Sequence, residues 1–172
     1  MTLLTPHLLH LLLLLPLTTA LTLPHHLFDV ITEQDTTLLA PQSCFPSTTF
    51  PHAAPVNETD LYMDAWRFCA GAAKQLPQMR PRALIKGDGR GASTEQHFEM
   101  RWVDDCPRAA EIKTQDTLDP LGKGKKSSLF GENWCVRILV DNWKKCKDFG
   151  GVGGSRVAGC VVFATGPGHL RS

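Results

Sequence analysis

Residues 134–163 read WCVRILVDNWKKCKDFGGVGGSRVAGCVVF, and the fold turns on how this stretch is parsed. Cys135, Ile138, Leu139, Asn142 and Cys146 fall within a narrow sector when the segment is wound as a helix. Steps of about 100° per residue bring Cys146 back almost above Cys135. Val140 and Trp143 flank this stripe, and Lys144, Lys145 and Lys147 close the segment, where cations suit the negative end of a helix dipole. The pattern predicts a helix from about Gly131 to Lys147 with both cysteines on its buried side. Gly150–Gly154 then terminates the helix, and the apolar run Val157–Thr165, containing Cys160, reads as a strand.

Upstream, Thr94–Val103 alternates, with Phe98, Met100 and Trp102 on one face and His97, Glu99 and Arg101 on the other. That is a half-buried strand. Ala83–Lys86 before the turn Gly87–Gly91 supplies a partner for a hairpin that ends at Asp104-Asp105-Cys106-Pro107. Residues 107–130 are polar and read as loop, with a basic patch at Lys123, Lys125 and Lys126. A second helix begins at Thr59 as N-cap, carries Leu61, Ala65, Cys69, Ala72 and Leu76 on its buried stripe, and stops at Pro77. An early strand near Cys44–Phe50 would complete the order of a split βαβ unit. The class is α+β: a two-layer sandwich in which two helices cover one face of an antiparallel sheet.

The cysteines lie where these layers meet. Six of them, Cys44, Cys69, Cys106, Cys135, Cys146 and Cys160, imply three disulfides among 15 connectivities. Placement on the elements predicts Cys146–Cys160 between a helix end and the next strand, and Cys69–Cys135 between the helices. Cys44–Cys106 is left to tie down the N-terminal part. The closest two are eleven residues apart, so zinc-type spacing is absent, and no metal or cofactor is expected.

The formal charge of +1 over 172 residues is a sum of unlike parts. Residues 1–20 hold no Lys, Arg, Asp or Glu; residues 21–60 carry five acids and no base; residues 61–172 carry 18 bases and 12 acids, a net of +6. Such a modest excess gives little support to a nucleic-acid binder. Leu8–Leu17 is too short to span a bilayer and fits the apolar core of a secretory signal, with Thr18 and Ala20 as small residues before a cut after Ala20. The expected plan is a signal peptide at 1–20, an acidic, Pro/Thr-rich flexible arm at 21–58, a disulfide-rich domain at 59–168 and a tail at 169–172. Secretion is the expected localisation, with no membrane span after cleavage, and Asn57-Glu58-Thr59 is a glycosylation sequon suited to it.

Chemistry is sparse. Gly150–Gly154 follows a helix and precedes a strand, the reverse of a phosphate loop. Asp104 and Asp105 are adjacent and diverge in a strand. The four tryptophans, Trp66, Trp102, Trp134 and Trp143, lie on or beside apolar stripes and read as core. His97, Glu99 and Arg101 project from one strand face, where base, carboxylate and guanidinium could activate a ribose hydroxyl and stabilise a pentacovalent phosphate. A second catalytic histidine would come from His52 or His169.

From Trp134 to Phe163, Trp-Cys-x5-Asp-x-Trp-x2-Cys, a Gly-Gly stretch and Gly-Cys-Val-Val-Phe resemble the C-terminal halves of small secreted cysteine-rich proteins of filamentous fungi, effector-like or killer-toxin-like α/β modules. The resemblance implies a secreted, disulfide-held α/β module and brings no catalytic residues with it. The expected function is binding of an extracellular partner: a host protein, a cell-wall glycan or a membrane component. The alternatives are a ribonuclease-like hydrolase using His97, Glu99 and Arg101, with nucleic acid as its partner, and a structural wall or matrix protein.

Overall fold

The computed structural model describes residues 39–50, 53, 55–89, 96–122 and 133–168. The leader, the part of the arm before Leu39, the lysines at 123, 125 and 126, His52, His169 and the tail lie outside the described residues. Among the described residues, seven strands and two α-helices follow in the order β1 (Ser43–Pro46), α1 (Glu58–Gln75), β2 (Gln78–Met79), β3 (Leu84–Asp88), β4 (Gln96–Trp102), β5 (Gln115–Asp116), α2 (Trp134–Lys147), β6 (Gly151–Ala158) and β7 (Val161–Pro167). The large sheet is antiparallel throughout in the order β1-β6-β7-β4-β3, and β2 pairs with β5 separately. The class is α+β, as the periodicities imply.

Both helices pack on the same face of the sheet. Phe68 of α1 stacks on Phe98 of β4 at 5.5 Å between ring centres. Two residues along that strand face, the Met100 sulfur lies 3.7 Å from the Cys135 sulfur of α2. Phe98, Met100, Phe163, Val161, Ile138 and Leu139 are fully buried between the layers. Two polar side chains serve the interface: Asn142 Nδ2 donates to the Phe163 carbonyl at 2.8 Å, and Thr165 Oγ1 donates to the Leu139 carbonyl at 2.8 Å. These bonds tie α2 to β7 at fixed register.

Helix α1 begins two residues before the expected start. Asn57, not Thr59, is its N-cap, and its Oδ1 accepts from the Thr59 and Asp60 amides at 2.9 and 3.3 Å. The sequon asparagine therefore caps the helix while remaining exposed.

The glycine run departs furthest from its reading. Gly151–Ala158 is a strand, β6, and it forms a hairpin with β7 through Gly159 and Cys160. Glycine stands there because α2 and β1 press directly on the strand. A Cβ on Gly154 would lie 2.6 Å from both the Cys146 sulfur and the Ser43 carbonyl oxygen. Gly153, at φ +143°, has no room for one at all beside the Thr165 carbonyl.

That strand also corrects the disulfides. Cys69–Cys135 joins the helices as expected, but the other bonds are Cys44–Cys146 and Cys106–Cys160. Eight strand residues at about 3.3 Å each carry the chain roughly 26 Å from the end of α2 before Cys160 is reached. Cys160 therefore meets Cys106, beyond the far end of β4. Gln115 fixes the same turn, accepting from the Cys160 amide at 2.8 Å and donating to the Ala158 carbonyl at 2.6 Å. Cys44 in turn reaches Cys146, because β1 is the edge strand beside β6. Residues 39–46, which composition alone places in the arm, are thus built into the sheet, with Leu39 bridged to Ala158.

Candidate functional site

The sheet face turned away from the helices has no helix over it among the described residues. Register places Leu84, Lys86 and Asp88 of β3 opposite Arg101, Glu99 and His97 of β4, so the three expected site residues do share one face. Val162 and Ala164 of β7, Ser155 of β6 and Phe45 of β1 continue it across the sheet. The centre is a shallow hollow of about 440 Å³ between Phe45, Leu84 and Val162. Leu84 is half exposed, at 51%.

The charged groups here are paired. Glu99 accepts from both sides, Lys86 Nζ at 3.3 Å across the strands and Arg101 Nε at 3.2 Å along its own strand. His97 Nδ1 lies 2.8 Å from Asp88 Oδ1, directly opposite. With the proton on Nδ1, the imidazole donates to the carboxylate and leaves the Nε2 lone pair free. No described group bonds Nε2, although His97 is nine-tenths buried. Asp88 was missed from sequence because Gly87–Gly91 reads as a turn. The signal lay in register: β3 runs on to Asp88, so position 88 faces 97.

Other candidates resolve into packing. Trp102, Trp134 and Trp143 are buried in the core, and Trp66 packs against it, so the tryptophans form no exposed platform for a sugar. Arg137 stacks over Trp134 at 4.5 Å and Lys147 over Trp143 at 4.8 Å. Lys145 pairs with Asp141 and Lys144 with Glu58, so the lysines ending α2 are engaged locally. Among the described residues, no three His, Cys, Asp or Glu side chains gather as a metal site, and no helix is long and apolar enough to cross a membrane. Comparison with known protein families, curated proteins and solved structures finds no match.

Proposed function

We propose that this chain is an extracellular, disulfide-held binding protein whose partner is another protein, bound on the helix-free face of the sheet. The observation that carries this reading is the composition of that face. Leu84, Phe45 and Val162 form an apolar centre, and the Lys86–Glu99–Arg101 chain of ion pairs borders it. An apolar centre with a polar rim is what protein interfaces present. A glycan would favour an exposed aromatic platform, and here three tryptophans are in the core and Trp66 packs against it. An anionic membrane would favour unpaired cations, whereas Lys86 and Arg101 share Glu99. Three disulfides support an oxidising compartment, in keeping with secretion as an effector-like fungal protein.

Site-specific photo-crosslinking of the full chain in extracellular fluid tests this. A photoreactive residue at position 84 is expected to give a discrete protein adduct that Arg101→Glu abolishes, while one at the α1 position of Met63 gives none. Retention on chitin or glucan with no adduct from position 84 would favour a wall-binding or matrix role instead.

A second reading rests on the Asp88–His97 pair. An imidazole held by a carboxylate with a free Nε2 is suited to take a proton from a ribose hydroxyl, with Arg101 near the phosphate. Burial of His97 restricts access to that nitrogen, and this places binding first. RNA cleavage by the purified chain, lost in His97→Ala, would reverse the order.

A further inference from the structure

β3 is the last strand of the sheet, and among the described residues nothing pairs with its outer edge. The Trp102 amide donates to the Ala83 carbonyl, and the Gly89 amide to the Gln96 carbonyl. Antiparallel pairing alternates, so Ile85 and Gly87 also turn their backbone groups toward β4. Leu84, Lys86 and Asp88 therefore turn theirs outward, as a ladder of donors and acceptors spaced for another extended chain.

Beside this ladder runs a groove of about 370 Å³ between β3 and α1, with Phe68, Gly71, Ala72 and Ile85 forming its walls and Arg67 at its rim. Gly71 gives the groove meaning. It lies inside the 18-residue helix α1, where glycine costs about 1 kcal/mol relative to alanine. Nothing lies within 4 Å of where its Cβ would be. Packing within the described fold does not call for a glycine here, in contrast to Gly87, whose missing Cβ makes room for the Phe68 ring 2.9 Å away. The glycine keeps the groove wall flat.

We infer that the β3 edge takes an extended peptide segment of a partner as a sixth, antiparallel strand, seated in the groove against Gly71. Its side chains would alternate. Those opposite Ile85 and Gly87 point into the groove and are small and apolar, matching Phe68 and Ala72. Those opposite Lys86 and Asp88 point to the other face, where Lys86 and Asp88, though paired with Glu99 and His97, stay 44% and 68% exposed, so an acid can join Lys86 and a base Asp88. Lys86 borders both this groove and the hollow on the helix-free face, whereas Gly71 belongs to the groove and Phe45 and Val162 to the hollow, so substitution at Gly71 separates the two.

The test uses the full chain and the probe acetyl-Thr-Val-Lys-Val-Glu-Val-Thr-amide, with Lys set opposite Asp88 and Glu opposite Lys86. Binding, read by calorimetry and by slowed exchange of the Lys86 amide, is expected to weaken about tenfold or more when the probe is N-methylated at its Lys and Glu. Those amides face β3. N-methylation at the two Val residues set opposite Gly87 and Ile85, whose amides face away, is expected to be tolerated. Lys86→Pro removes an outward donor and leaves the β4 ladder intact. Gly71→Leu fills the groove while favouring the helix, so it is expected to raise Tm and lose the probe. Equal binding of both N-methylated probes, or no binding at all, would overturn the proposal. So would a concentration-dependent dimer abolished by Lys86→Pro, which would give the edge to a second copy.

Discussion

The two edges of the sheet are built to opposite ends. At one edge, β1 is four residues long, shifts register between Cys44 and Pro46, and is fastened to α2 by Cys44–Cys146. Gln42 fills the remaining space by donating to the Asn142 carbonyl at 2.8 Å. Pro46 and the irregular pairing blunt the strand against further addition. At the other edge, β3 is regular over five residues, and α1 presses on it at Gly87 and Gly89 through Phe68 and Asp64 but leaves a groove open beside Gly71. A glycine appears at each place for opposite reasons. Gly154 is required because neighbours already occupy its Cβ position, whereas the space beside Gly71 is open. One edge is a closure and the other an opening.

Each difference can be attacked by substitution. Breaking the closure with Cys44→Ser and Cys146→Ser should have the largest effect, a loss of about 4 kcal/mol for a bridge spanning 102 residues, read by urea denaturation. The sheet would then fray from β1. Proline placed along β3 should next show its two-sidedness: Ile85→Pro removes a ladder bond to β4 and strands a carbonyl, costing about 2–4 kcal/mol, whereas Lys86→Pro should cost less than about 1 kcal/mol. Equal losses would mean that β3 is not an edge.

The glycines come next. Gly154→Ala forces a methyl against the Cys146 sulfur and the Ser43 carbonyl and should cost about 2–3 kcal/mol. Gly71→Ala should raise stability by about 1 kcal/mol. The smallest effect concerns α1 itself. Burial holds the Tyr62 phenol above its ordinary value of 10.0, so the neutral form is favoured in the folded chain. Stability contributed there is intact below pH 10 and should decline as pH rises through the folded value, and Tyr62→Phe should flatten that decline.

The helices and β4 were legible in the sequence because each buries one face, and the resulting periods of 3.6 and 2 are written in side chains. β6 was not. In its first half Gly151, Gly153 and Gly154 are glycine because the neighbouring backbone and the Cys44–Cys146 bridge come too close for side chains, so the strand carries no alternating pattern. Missing β6 misplaced Cys160 by the length of a strand and with it two disulfides. On the candidate site, His97, Glu99 and Arg101 could be grouped from alternation alone. Asp88 depended on the register of a second strand, and the groove at Gly71 on the gap left between a helix and an edge. Neither leaves a local pattern.

Residue-resolved amide hydrogen exchange of the free chain tests the contrast between the edges most directly. The amides of Ile85 and Gly87 should be protected, while those of Leu84, Lys86 and Asp88 exchange at nearly the rate of an unstructured chain. Protection of all five amides would show that β3 is already covered, and would contradict the open edge on which the account depends.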